Sequence, residues 1–321
     1  MNFARIVAAV SIALLGASAL PASAQTLQKL RVGKAISEAF TFTPLDIGLE
    51  EGIFKKHGID LEIIDFTGDA KLQQAFAADA ADMGLGSGPG LAFIVKGSPI
   101  TGVAALANAP NTMTLIVSET SGIKTIADLK GRKIAVTTVG ALTGWLLSEL
   151  SRQQGWGPNG IQIIPLGGIQ PELAAMKTGD VDGLSSELAL GLRLEDEKTA
   201  HILVRFGEIV KDFHIQVIYA TNKLIAKDPD AVRHFLAGWF ETIAFMNTHK
   251  ETVVRIAAPI VRVSPEILGR SYDVVMPVVS KDGKFNPKAL ATLSESFVAL
   301  GTLPTEPDMS KLVTEAYLPG K

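Results

Sequence analysis

Residues 82–92, Asp-Met-Gly-Leu-Gly-Ser-Gly-Pro-Gly-Leu-Ala, place four glycines, a serine and a proline directly behind a short apolar run. Glycine clusters of this kind cradle phosphates or present a nucleophile, and each use has its own spacing. A dinucleotide fingerprint needs glycines at relative positions one, three and six; counted from Gly84 and Gly86, the sixth place is Pro89. A phosphate loop ends in Gly-Lys-Ser/Thr, which occurs nowhere in the chain. A nucleophile elbow needs glycine two residues before its serine, and Leu85 stands there before Ser87. What remains is bare backbone beside a hydroxyl, which lets a small molecule approach closely.

The same chemistry recurs where other short apolar runs end. Ser37 to Pro44 reads Ser-Glu-Ala-Phe-Thr-Phe-Thr-Pro, residues 137–144 read Thr-Thr-Val-Gly-Ala-Leu-Thr-Gly, and residues 185–187 read Ser-Ser-Glu. In open α/β sheets, ligands sit beyond the carboxyl ends of the strands, beside helix N-termini. The candidate binding residues are therefore Ser37, Glu38, Phe40, Thr41, Gly86, Ser87, Gly88, Thr137, Thr138, Gly140, Thr143, Ser186 and Glu187. His214 joins them from a later crossing segment, where hinge packing is the competing role. Glu187 has two readings: an acceptor for a ligand N–H, or an acid favourable to a helix dipole. Phe40 and Phe42 flank a polar loop, one suited to stacking on a planar ligand and the other to the core. None of these loops carries Arg or Lys. A neutral, heterocyclic or amine-bearing solute is expected over a nitrate-like anion, with sulfonates left open.

Catalytic and metal chemistry find little support. The five histidines, at 57, 201, 214, 234 and 249, never pair at metal-ligand spacing, and the chain has no cysteine. No metal, cofactor or catalytic residue is expected, nor is an enzyme. Lys55-Lys56 reads as solvated charge at a helix end. A net charge of -3 without any basic run gives no footprint for nucleic acid or anionic membrane.

These candidates must be held by regular elements. Short strand patterns alternate with helical ones in two series, near 30–110 and 125–205, which argues for two α/β lobes with parallel-rich sheets. Thr43-Pro44 reads as the start of a helix that stops at Gly52. Residues 111–120 and 212–220 would cross between the lobes, and two crossing strands make a hinge over a cleft. Beyond Asp228-Pro229 the pattern is helical, with no sheet of its own, and is expected to dock on the first lobe. Trp145, Trp156 and Trp239 read as packing residues.

Residues 1–24 stand apart: Arg5, an apolar run, Pro21, then Ala22-Ser23-Ala24 before Gln25. That is the grammar of a signal peptide cleaved before Gln25. An exported chain without cysteine fits a bacterial periplasm. The expected domains are 1–24 leader, 25–116 with 216–321 as lobe 1, and 117–215 as lobe 2.

The residues also resemble a known family. "TFTPLDIGLEEGIFKKHGIDLEI", "QQAFAADAADMGLGSG", "GSPITGVAAL", "IKTIADLKGRKIAV" and "AAMKTGDVDGLSS" follow one another as in solute-binding proteins of ABC importers, of the nitrate, sulfonate, taurine and thiamine-precursor group. The resemblance implies a type II periplasmic-binding-protein fold and a monomer that closes on a small organic solute and hands it to a permease and ATPase. It places the cleft at 37–43, 86–88, 137–143 and 185–187. The alternatives are a same-fold enzyme of thiamine-pyrimidine or menaquinone precursor synthesis, and a periplasmic ligand sensor.

Overall fold

The computed structural model describes residues 27–107 and 109–320. The expected leader and its cleavage site before Gln25 lie outside the described residues.

The first sheet starts with β1 (Gln28–Lys34), whose Leu30 and Val32 are fully buried. A 3-10 turn over Phe40–Phe42 leads into α1 (Pro44–Glu50). Pro44 opens that helix as expected, but Thr43 does not cap it with its side chain: its hydroxyl donates back to the Phe40 carbonyl. Gly52 ends the segment with φ of 70°, a left-handed turn that suits glycine. α2 (Ile53–Lys56), β2 (Ile59–Asp65), α3 (Asp69–Ala77), β3 (Met83–Ser87), α4 (Leu91–Val95) and β4 (Ile100–Ala107) follow.

The chain then crosses. β5 (Met113–Ser118) pairs only with strands of the second sheet, so the boundary expected at 116/117 falls inside it. That sheet is built from β6 (Lys133–Val136), α5 (Leu142–Gln153), β7 (Gln162–Pro165), α6 (Ile169–Thr178), β8 (Gly183–Glu187), α7 (Leu188–Asp196), β9 (Ala200–Arg205) and α8 (Phe206–Ile209). The return is made by residues 210–215, and β10 (Gln216–Thr221) inserts into the first sheet.

The strand orders are β2-β1-β3-β10-β4 and β7-β6-β8-β5-β9. In each sheet the strand arriving from the other lobe lies antiparallel between its neighbours, while the remaining pairings are parallel. The sheets are therefore mixed. Both sheets point the carboxyl ends of their parallel strands at the gap between them.

The tail comprises α9 (Asn222–Lys227), α10 (Pro229–Met246), α11 (Lys250–Val261), α12 (Pro265–Val275) and α13 (Pro287–Ala299). α10 packs on α1 and α2, with Phe235 stacked on Phe54 at 5.4 Å and Trp239 fully buried. This much fits a tail on the first lobe. The tail also reaches further: α12 packs on α7, Arg270 pairs with Asp196 at 3.0 Å, and Ser296 of α13 accepts a 2.8 Å bond from the Trp145 indole of α5. It bridges the two lobes.

Candidate functional site

Where the sheets face each other they enclose a space of about 710 Å³, measured out to its open mouth. The first lobe contributes Ala35, Ile36, Glu38, Ala39, Phe42, Asp69, Ser87 and Gln216; the second contributes Met113, Thr137, Leu142, Thr143, Ile169, Ser185, Ser186, Glu187, Ala189 and Leu190. Val261 of α11 closes one side. The walls are mainly apolar, with a few polar atoms at fixed places, the usual make-up of a small-molecule site. No Lys, Arg or His is among the lining residues.

Of the expected residues, the structure brings Glu38, Ser87, Thr137, Thr143, Ser186 and Glu187 to the cavity. Ser87 receives support from both directions: its N–H donates to Asp69 Oδ1 at 2.9 Å and its Oγ accepts from Gly90 N at 3.1 Å. Thr137 and Thr143 share a 3.1 Å hydroxyl contact, and Thr143 Oγ1 also takes the Thr137 N–H. Glu38 accepts from Gln170 of the second lobe at 3.1 Å, and its charge is matched by Arg262 of the tail at 3.2 Å.

Glu187 does more than line the wall. Its Oε2 accepts from Phe40 N at 2.7 Å and its Oε1 from Thr41 Oγ1 at 2.5 Å, both across the gap. Burial pushes its carboxyl above the usual range, against the pull of these donors. Phe40 and Thr41 thus serve the cavity through Glu187 and do not line it. The Phe40 ring is buried near Tyr272, and it is Phe42 that faces the solute space.

The other expected residues have different roles. Ser37 lines a shallower opening beside the cavity. Thr138 sits against Gly68 of the opposite lobe, where an added Cβ would come within 2.6 Å of its hydroxyl, and Gly140 lies open with φ of 82°. Gly86 lies inside β3, paired to Val217. Gly88 accommodates the chain crossing, since a Cβ there would fall on the His214 carbonyl oxygen. His214 itself is fully buried, edge-on to Phe285, with Nε2 accepting from Asn286 N. Burial drives it down to about 4, leaving a neutral packing residue of the hinge.

Asp69 and Gln216 carry polar atoms outside the expected cleft segments, and Ser185 lies inside the 185–187 segment without being a named candidate. Asp69 is the first residue of α3, 4% exposed, and burial raises its carboxyl to about 6. It follows a strand end and Gly68, so the rule that found the other loops would also have found it. Gln216 opens β10, and its Nε2 leans toward Glu187 Oε1 at 3.4 Å. Gln216 Oε1 and Ser185 Oγ are buried and have no partner among the described residues.

The N-termini of α3, α5, α6 and α7 all reach the cavity, through Asp69, Leu142, Ile169 and Glu187. None of the four has a side-chain cap bond. Residues 39–252 match the family described as NMT1/THI5 like, about two thirds of the sequence. The chain belongs to the NMT1/THI5-like family.

Within reach of that family, a Brucella abortus protein named as a binding protein is 25% identical over 285 residues, 86% of this chain and 87% of that one. The Saccharomyces cerevisiae 4-amino-5-hydroxymethyl-2-methylpyrimidine phosphate synthase THI5 is 28% identical over 211 residues, 60% of this chain and 59% of the enzyme. NMT1/THI5-like relatives thus include binding proteins and enzymes. The alkanesulfonate-binding protein of Xanthomonas axonopodis pv. citri superposes with a TM-score of 0.78 at 17% identity, covering 89% of this chain and 98% of that one. The fold is that of type II periplasmic binding proteins, as the resemblance implied. No described helix is long and apolar enough to cross a membrane.

Proposed function

We propose that this NMT1/THI5-like protein is the solute-binding component of an ABC importer. It captures a small organic molecule between its lobes and delivers it, as an exported periplasmic monomer, to a permease and ATPase. The observation that carries this reading is the cavity: polar atoms from both sheets converge on one apolar space, and Glu187 already spans the gap to Phe40 and Thr41.

The energetics agree with closure around the solute. A micromolar affinity corresponds to about 8 kcal/mol. Spread over a ligand of roughly a dozen heavy atoms, this is about 0.7 kcal/mol per atom, attainable only when most of the ligand is buried. One wall of a cleft does not bury a ligand; two lobes do. The solute then favours the closed state by its contacts with both lobes and shifts the population toward it.

A thermal-shift screen against amines, pyrimidines, sulfonates and aromatic acids, followed by X-ray scattering with the best hit, tests this. The expected result is one chemical class that raises the melting temperature and reduces the radius of gyration. An unchanged scattering profile at saturation would remove the hinge. Similarity to the yeast synthase makes turnover the other readout: chemical conversion of the hit would reassign the chain to an enzyme.

A further inference from the structure

We propose that the cavity takes a compact solute bearing a protonated nitrogen group, an amine or amidinium, with Asp69 as its counter-charge. This rests on the cavity being the solute site.

Three observations converge. The first is an unmatched acid. Glu38 faces Arg262; among the described residues neither Glu187 nor Asp69 has an ion-pair partner, but Glu187 takes hydrogen bonds from Phe40 N, Thr41 Oγ1 and the Gln216 amide, whereas Asp69 is bonded through Ser87 alone. A buried carboxylate without a cation is costly, and a ligand that brings the charge removes that cost.

The second is a pair of atoms waiting for partners. Gln216 Oε1 and Ser185 Oγ, on residues 5% and 1% exposed, lie on opposite lobes of the cavity with no hydrogen bond. The orientation of the Gln216 amide follows from chemistry: only its NH₂ end can donate to Glu187, so the oxygen is the end left without a donor. A ligand N–H group supplies the donor that Gln216 Oε1 lacks, and the Ser185 hydroxyl can accept from it too.

The third concerns the helix ends, which would otherwise attract an anion. Asp69 opens α3, Glu187 immediately precedes α7 and Glu172 lies in the first turn of α6. Three of the four N-termini therefore already hold a carboxyl group, and a sulfonate or carboxylate entering here would meet Asp69 and Glu187 at close range. A planar amidinium offers one positive charge and several N–H donors, matching a carboxylate and two acceptors.

Calorimetric titration with four ring compounds of similar shape tests the assignment: benzamidine, benzamide, benzoate and benzenesulfonate. Benzamidine should bind at least tenfold tighter than benzamide, and the two anions should give no saturable heat. Asp69→Asn should abolish the preference for benzamidine over benzamide, in protein whose melting curve confirms that it is folded. Gln216→Met should weaken both benzamidine and benzamide. Tighter binding of either anion, with compaction in scattering, overturns the charge assignment and leaves the solute site standing. An undiminished preference in Asp69→Asn also overturns it. Failure of all four compounds to bind the folded protein, when the thermal-shift screen yields a ligand of another class, overturns the charge assignment and leaves the solute site standing; failure of the screen as well removes both.

Discussion

The Glu187 carboxylate, at the end of β8 in the second lobe, accepts a 2.7 Å hydrogen bond from the Phe40 backbone N–H in the first. A second bond, from Thr41 Oγ1, arrives beside it. These bonds exist only when the lobes are together, so they favour closure. Glu187→Ala would leave both donors without an acceptor in the closed form, at about 1–3 kcal/mol for such a loss. The expected outcome is a larger radius of gyration in the free protein and at least a fivefold weaker affinity for the best hit of the screen. Glu187→Gln retains one acceptor and should fall between. Wild-type scattering and affinity in Glu187→Ala would show that the closed state owes nothing to these bonds.

The crossing is tied down on the outside by Trp145. Its ring stacks on Phe213 with centroids 3.9 Å apart, and its Nε1–H donates to Ser296 of the tail. Ser296→Ala leaves a buried indole N–H unpaired, which should lower stability by about 1–3 kcal/mol in urea unfolding. The emission of Trp145 should shift at the same time. A loss below 0.5 kcal/mol with unchanged emission would mean that water replaces the serine freely.

Much of this architecture was legible in the chain because periodicity and loop chemistry agree. Thr43-Pro44 marks a helix start, and small polar residues mark strand ends, so the two lobes and four of the cavity's loops follow directly. The residues misassigned within those loops share a physical cause. Loop sequence does not reveal which of two neighbours faces inward: Phe40 turns to the core and Phe42 to the cavity. A glycine at a strand end suggests an approach for a ligand, whereas Gly88 makes room for the crossing chain at His214. Gln216 was hidden because its role depends on β10 inserting beside β3, a long-range pairing that no local pattern encodes. The bridging tail is equally nonlocal, resting on Trp145 meeting Ser296 across 151 positions.

Gly88 offers a direct check on that revised role. Its missing Cβ is occupied by backbone, which yields less readily than a side chain. Gly88→Ala should therefore destabilise the fold by about 3 kcal/mol, the upper end of ordinary overpacking. If it instead folds normally and loses only ligand affinity, Gly88 belongs to the cavity wall after all.

Glu172 predicts an unusual pH dependence. It is fully buried, neither carboxyl oxygen has a partner among the described residues, and burial raises its pKa to about 8 from an ordinary 4.5. The unfolded chain releases this proton near 4.5 while the folded protein holds it to about 8. Between those values the folded state binds more protons, so stability from this group falls as pH rises, by about 5 kcal/mol in total. Glu172→Met removes the ionisable group while filling the space. Urea unfolding should show a gain of several kcal/mol at pH 8.5 and little change at pH 4.5. An equal effect at both pH values would place the carboxyl in contact with water or a donor.

Asp69 links pH to the solute. Its carboxyl sits at about 6, up from 3.8, with burial as the leading cause and the Ser87 N–H pulling the other way. The groups around it are the Tyr219 phenol, itself raised by burial and by the charge of Asp69, and the carboxyls of Glu187 and Glu38 sharing the cavity. Folded Asp69 keeps a proton that the unfolded chain has lost between 3.8 and 6, so ionising it in place costs about 3 kcal/mol above that range. A bound cation needs the ionised form and stabilises it. Affinity for benzamidine should therefore be constant above about pH 7 and fall by up to tenfold per pH unit below about pH 6, while affinity for benzamide should not fall. In Asp69→Asn the benzamidine titration should lose this dependence. A benzamidine affinity that stays level from pH 7 to pH 5 in the wild-type protein would show that the nitrogen group, if it binds, does so away from Asp69.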